Sequence, residues 1–481
     1  MPRATESLVA REAAVGEPAS AAAWRPGHLL LLAVIGVLLA LHRAEAALDT
    51  DVLWSARYGA DVTHTGHLPH SDTYSWTAHG HEWIPSSWGW NVLLGIAYRL
   101  AGVSGMWVLG ILISAGLGVM IGLVAARIGA APLRTAMVFA VLGIFALVVI
   151  PRAQAVGYLV LLAFPLLLPD VLFGTRSRAL RAAAIILALQ IVWMNLHTVA
   201  VVGPVVLLAG GGAQLIGDRR RSGSSAVLRL LATTAAASLA CLATPYGTAP
   251  ITHIPAVRRA SVGLINEWDH AGIGNIAELT SLAAALAAIA VAVVAWRGGR
   301  YSTAGILIVL AAAAASAVRF GPMTIVMLIP ELARGMGKLE VRPFIMRRAI
   351  ALGCGALVVF IVLNLDSFAS LNDDAGSPRL VAELPSGCRL LNDYTIGGAV
   401  ILKRHDVPVS IDSRNDMYGR RLVLKNEDVL ENSIDVRSYV AQQGVTCVLA
   451  KTGYKAVQIL STTPGWKAMD HDSVRTLLVR Q

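Results

Sequence analysis

Charged side chains are scarce in this chain. Asp, Glu, Lys and Arg make up 15% of its 481 residues, against 56% hydrophobic residues and a mean hydropathy of +0.62. That excludes an ordinary soluble domain, in which about a quarter of residues are charged. The charge present is lopsided, +10 at neutral pH. In a soluble chain this would suggest nucleic acid; in one so apolar it reads as arginine held in cytoplasmic loops, and no nucleic-acid binding is expected. Cysteine is also sparse, four in all. His64, His67, His70, His79 and His81 have no cysteine beside them and lie in a segment broken by glycine and proline, which argues against zinc. Cys241 and Cys354 fall in apolar runs and read as fillers.

What is abundant is apolar length. Runs that can cross a bilayer need roughly 17–25 residues, and they can be laid out at His28–Leu48, Gly105–Arg127, Pro132–Ile150, Val156–Gly174, Leu180–Met194, Thr198–Ile216, Ala226–Thr244, Ile276–Trp296, Thr303–Val318, Phe320–Arg334 and Arg348–Asp366. The expectation is an α-helical polytopic protein of the cell membrane with about eleven spans. Residues 1–27 form a cytoplasmic tail, 28–366 the membrane domain and 367–481 a small extracytoplasmic α/β domain. Residues 49–104 are the first outer loop. Within it "SWGWNVLLGIAYRL" (Ser87–Leu100) is aromatic at one end and carries Arg99 at the other, which reads either as an interfacial helix or as an extension of the next span.

Orientation follows from arginine, which is concentrated in cytoplasmic connections. Arg3, Arg11 and Arg25 precede the first span, and alternate connections carry Arg127 and Arg134, then Arg176, Arg178 and Arg181, then "DRRRSGSSAVLR", then Arg297 and Arg300, then "RGMGKLEVRPFIMRR". The amino terminus is therefore expected inside, and the first loop and the tail outside. A basic flank followed by "AEAA" (Ala44–Ala47) also fits a cleaved secretory signal.

The remaining connections hold the chemistry: "LDTDVLW", "PRAQ", "WMNLH", "TPYG", "INEWDH" and "VRFGP". "TPYG" alone reads as a helix-ending turn. Arg152, Arg319 and Glu267 stand at span boundaries, where a charge must find water, lipid phosphate or a partner. Asp49 and Asp51 would share one face only if their segment is extended; they could then bind Mg²⁺ or Mn²⁺, and otherwise one of them is a helix cap.

The run Asp51, Trp54, Gly59, Pro69, Asp72, Ser75, Thr77, Trp83, Trp88, with "PRAQ", "NLH", "PYG", "EWD" and "NDYTIGGAVILKRHDVPVSIDSRNDMYG" following in order, resembles a group of bacterial membrane proteins related in architecture to the GT-C glycosyltransferases. The resemblance implies a polyprenyl-phosphate-linked sugar as donor, with a first-loop aspartate as catalytic carboxylate. Ser87 stands where relatives tend to carry an acid, which puts a second acidic role there in doubt.

Sugar transfer from a lipid phosphate also requires a base for the acceptor hydroxyl and cations for the leaving phosphate. Asp51, with Asp49 beside it, is the candidate base. Arg152 and Arg319, with Arg258 or Arg259, are the candidate phosphate ligands, and Gln154, His197, Glu267, Trp54 and Asp72 are expected to bind substrate. The alternatives are a polysaccharide polymerase or ligase, a flippase-type transporter, or a non-catalytic envelope scaffold. The scarcity of charge at mid-span argues against a transport passage.

The tail alternates β-rich runs (Arg389–Leu391, Val407–Asp412, Thr446–Ala450, Thr476–Val479) with helical patterns such as "IDVRSYVAQQG", the pattern of an α/β layer. Cys388 and Cys447 fall on two of the strands and read either as a disulfide or as two buried thiols. "DSRNDMYG" (Asp412–Gly419) reads as a surface loop facing the membrane site, or as an ordinary turn.

Overall fold

The computed structural model describes residues 24–42, 49–146, 151–336 and 377–481, with isolated positions at 348, 351, 352 and 355. The expected amino-terminal tail up to residue 23, the "AEAA" stretch, nearly all of the expected span Arg348–Asp366 with Cys354, and the domain boundary at 367 lie outside the described residues.

Among the described residues the helices run in order as α1 (Pro26–His42), α2 (Thr50–Thr65), α3 (Trp88–Arg127), α4 (Pro132–Ala146), α5 (Gln154–Phe173), α6 (Arg176–Leu196), α7 (Val202–Gly217), α8 (Ser224–Ala240), α9 (Ala249–Ser261), α10 (Ile276–Arg297), α11 (Tyr301–Ser316) and α12 (Gly321–Gly335). Five helical stretches are long and apolar enough to cross a membrane: Trp88–Arg127, Gln154–Phe173, Arg176–Leu196, Thr198–Gly217 and Ile276–Arg297. Apart from Arg348–Asp366, the other expected spans appear over their described residues as helices of 15–17 residues. At ~1.5 Å per residue the described lengths come to ~25 Å or less, against a hydrocarbon layer of ~30 Å. Eleven spans are therefore not shown, and what stands is a mostly helical chain with five such stretches.

Two helix starts are set by side-chain caps. Thr175 caps α6 by accepting from the Arg178 amide, and Asn275 caps α10 by accepting from the amides of Ala277 and Glu278; both occupy donors that would otherwise be orphaned. Helix α3 is 40 residues long and breaks at Ala101–Gly102, where Gly102 takes φ 61° and ψ −146°, a conformation closed to residues with a Cβ. The Ser87–Leu100 stretch is thus continuous with the following helix but angled against it. This first arm packs on α2 so closely that a Cβ on Gly59 would lie 1.8 Å from the Asn91 carbonyl oxygen.

The C-terminal domain contains α13 (Pro378–Ala382), β1 (Leu390–Asn392), α14 (Gly397–Lys403), α15 (Asn415–Leu430), α16 (Val436–Gln443), β2 (Cys447–Lys451), α17 (Lys455–Ser461), β3 (Trp466–His471) and β4 (Arg475–Arg480). Its four-stranded sheet has the order β1-β2-β4-β3, with β1 and β2 parallel and the other pairs antiparallel. Helix α16 is "VRSYVAQQ", capped by Asp435 and closed by Gly444 at φ 63°, as the pattern led one to expect. Two strand expectations are corrected. Val407–Asp412 is not a sheet strand, although Val409 bridges to Ser75. The edge strand β3 went unread because its mostly exposed, polar "WKAMDH" shows no apolar alternation. Cys388 and Cys447 are buried free thiols that hydrogen-bond to each other, one of the two readings left open. Cys241 is buried among apolar helices.

The domain and the segment 49–87 form a joint structure. The Trp76 amide donates to the Val409 carbonyl at 3.0 Å and the Val409 amide to the Tyr74 carbonyl at 3.1 Å. At the start of α14, the Gly398 amide donates to Thr50 Oγ1 at 3.1 Å, and a Cβ at Gly398 would lie 2.3 Å from the Thr50 carbonyl oxygen. The "TIGG" glycine is what lets the tail seat on the first residue of α2.

Candidate active site

Asp49 and Asp51 do not lie on an extended segment. Asp49 is the N-cap of α2, its Oδ1 accepting from the Asp51 amide at 2.9 Å, and Asp51 sits in the first helical turn. The cap reading of the pair therefore holds for Asp49. A single guanidinium gathers both. Arg152, just before α5, holds Asp49 through a short hydrogen bond, Glu267 at 2.7 Å and Asp51 at 3.3 Å. Burial opposes the Arg152 charge, but Asp51, Glu267 and Asp49 outweigh it and keep the group firmly protonated. With both aspartates bound to an arginine, they present no open ligand set, and among the described residues no group of three or more His, Cys, Asp or Glu stands in a metal-binding arrangement. The Mg²⁺ or Mn²⁺ expectation does not fit this donor set.

Glu267 lies on the 3-10 turn Asn266–Trp268 and Arg319 on the turn Val318–Phe320. The turns are joined where the Val318 amide donates to the Asp269 carbonyl at 3.0 Å. The Arg319 guanidinium lies 4.2 Å from the ring centre of Trp268, and its Nε is buried with no hydrogen-bond partner among the described residues. Burial makes this charge less favourable. Of the two arginines, Arg319 is the one with donor capacity to spare.

His197 caps the turn Thr198–Val201, its Nδ1 accepting from the Val199 amide at 3.1 Å. Burial, helped by Arg319 and Arg152, pushes its pKa down to about 3. The ring is therefore neutral, and with Nδ1 accepting, its proton sits on Nε2 as a donor.

Asp51, Arg152, Glu267, Arg319 and His197 line one cavity of about 280 Å³, together with Gln154 at the head of α5, Trp54, Trp83, Trp90 and His253; Asp49 is held by Arg152 but is not part of the lining. Ser87 is also in its wall. The C-terminal domain contributes Ser413, Arg414, Asn415 and Asp416. Ser413 Oγ accepts from Trp54 Nε1 at 3.0 Å and also hydrogen-bonds Asp51. The "DSRNDMYG" stretch thus turns into α15 as one side of the cavity. The sequence left Ser413, Asn415, Asp416 and His253 without a role, and only the polarity of that stretch hinted at three of them.

Asp51 has a poised carboxyl. Burial raises its pKa to about 6, with Arg152 pulling it down and Asp49 pushing it up. It is also the most open of the three acids, with 39% of its side chain accessible against 30% for Asp49 and 32% for Glu267.

Besides Asp49, three expected participants lie outside the lining. Asp72 is fully buried outside the cavity, ion-paired at 2.7 Å to Arg414 and accepting from the amides of Tyr74 and Ser75. Arg414, itself fully buried, also holds Asp412 through two bonds of 2.8 and 2.6 Å and lies 4.7 Å from the Trp83 ring centre. This cluster fastens the first loop to the C-terminal domain. Arg258 and Arg259 are exposed on the last turn of α9 and do not line the cavity. Tyr246 of "TPYG" does more than end a helix, since its hydroxyl meets that of Tyr58 at 3.1 Å. Compared with known proteins, the chain matches no family model and no curated protein.

Proposed function

We propose that this protein is a glycosyltransferase of the cell membrane that moves a sugar from a polyprenyl-phosphate-linked donor to an envelope glycan, lipid or protein acceptor on the outer side of the membrane. In this reading the shorter apolar helices cross together with the five long ones in a GT-C-like arrangement. The arginine-rich connections face the cytoplasm, and the cavity and C-terminal domain face outward. The observation that carries it is the convergence on one cavity of a poised carboxylate, Asp51, and an arginine, Arg319, whose Nε is unpaired among the described residues, set among apolar helices.

The chemistry follows from the geometry. Asp51 takes the proton of the acceptor hydroxyl as that oxygen bonds to the anomeric carbon, and the bond from that carbon to the phosphate oxygen breaks. The departing lipid phosphate takes up the electron pair and is stabilised by Arg319 and by Nε2–H of His197. Arg152 positions the carboxylates. Its three partners leave it little to offer a phosphate, which moves the main phosphate role to Arg319. The tryptophans and Gln154 supply the apolar and hydrogen-bonding surfaces a sugar ring needs.

The test is to incubate purified protein with a panel of polyprenyl-phosphate sugars and envelope acceptors. An acceptor heavier by one sugar residue, with release of polyprenyl phosphate, is the expected product. Absence of transfer and of donor binding across the panel would overturn the reading in favour of a scaffold.

A further inference from the structure

A second, smaller cavity of about 120 Å³ lies where the first loop meets the C-terminal domain, lined by Trp76, Arg389, Lys425, Asn426, Tyr439 and Gln443 among others. None of these residues lines the candidate active site. Two cations stand at its rim. Arg389 lies 4.4 Å from the Trp76 ring centre and Lys425 lies 5.4 Å from that of Tyr439. Both are exposed, and neither has a carboxylate partner among the described residues, although eleven ion pairs form elsewhere. The aromatic rings hold the cations in place without neutralising them. Asn426 is 6% exposed; its Nδ2 donates to the Asn392 carbonyl at 3.0 Å, and its Oδ1 is buried with no partner among the described residues. A buried acceptor left unmade is costly, and it calls for a further donor.

We propose that this cavity is a binding site for an acidic saccharide. The anionic group is taken by Arg389 and Lys425, and a ring hydroxyl donates to Asn426 Oδ1. A neutral sugar would leave both cations unmatched. A bare inorganic anion gains little from the neutral acceptor. The cavity is large enough for the charged edge of one sugar ring while the rest of a chain stays in solvent. The site stands on the C-terminal domain and the loop fastened to it, and does not depend on the glycosyltransfer reading.

The experiment uses full-length protein in detergent, titrated with glucuronate, glucose 6-phosphate and glucose, with sugar binding followed by saturation-transfer difference NMR and inorganic phosphate, which has no carbon-bound proton, read as a competitor of the acidic sugars. The expected result is that at least one of the two acidic sugars binds about tenfold or more tightly than glucose and inorganic phosphate, weakens with added salt, and loses about tenfold or more affinity in the Arg389→Ala/Lys425→Ala variant at unchanged melting temperature. Which acidic sugar binds better identifies carboxylate or phosphate as the recognised group. Equal binding of glucose, inorganic phosphate binding as tightly as the acidic sugars, or an unaffected double variant would overturn the proposal. Because both substituted side chains are exposed, unfolding is not expected; should it occur, Lys425→Gln alone, which keeps the stem of the side chain, must still weaken the acidic sugar.

Discussion

Three carboxylates share the Arg152 guanidinium, and they are not equivalent. Asp49 is committed to the start of α2 and Glu267 to a close ion pair, while Asp51 is held at 3.3 Å and keeps the most open side chain. With its pKa raised to about 6, Asp51 should act as a base only above that pH. Turnover should therefore rise through about pH 6 and level off, and Asp51→Asn should lower it by roughly 10²- to 10⁴-fold and remove that rise. A pH profile unchanged by the substitution would remove Asp51 from the base role. The same shift has a stability consequence. The folded-state value lies above the ordinary 3.8, so the folded protein holds the proton more tightly between the two. The native state accordingly loses stability relative to an Asp51→Asn variant as pH climbs from about 4 to above 6, which melting curves taken across that window will show. For the arginines, Arg319→Ala should weaken donor binding by roughly 10- to 100-fold, the value of a charge-assisted hydrogen bond. Arg152→Ala should instead lower the melting temperature, because it leaves three acids facing one another. If the two variants behave in reverse, the division of labour between the arginines is wrong.

At the scale of elements, the joint between the first loop and the C-terminal domain depends on a fully buried cation between two fully buried acids, Asp72–Arg414–Asp412. Removing one member of such a cluster costs about 3–5 kcal/mol, because the partners stay buried and charged. Arg414→Ala should expose the joint to limited proteolysis within residues 66–87, and Arg414→Met combined with Asp72→Asn and Asp412→Asn should restore much of the protection. Cleavage unchanged in the single variant would show that the joint is held by something else. This cluster also marks where reading the sequence stops. Asp51, Arg152, His197, Glu267 and Arg319 could be found because each is a polar residue at the edge of an apolar run, where it must have a purpose. The same rule selected Asp72, and nothing local separates it from the others, since its partner is 342 residues away in the chain. Helix positions were legible from apolar length, but their ends were not. A run such as Thr303–Val318 keeps its apolar composition through the extended residue Ala317, where the helix stops for geometric reasons. The Ala101–Gly102 break was hidden because alanine and glycine are ordinary in apolar helices and only the observed φ distinguishes them.

For the whole molecule, the glycosyltransferase reading requires one face for the cavity and the opposite face for the arginine-rich connections. A reporter after Gln481 should be active only outside the cytoplasm and one at Gly223 only inside; a signal from the wrong side at either point would separate the cavity from its supposed lipid-linked donor. The contact of Gly398 with Thr50 spans 348 positions of the chain, and the cavity needs residues from both ends of that interval, from Asp51 to Asp416. A ribosome adding about 5–20 residues per second takes on the order of tens of seconds to travel between them. Throughout that time the growing chain carries its carboxylates and arginines without the wall that encloses them. On the glycosyltransferase reading the protein is silent until then, because the cavity is complete only when a late-made segment reaches back to close over an early one.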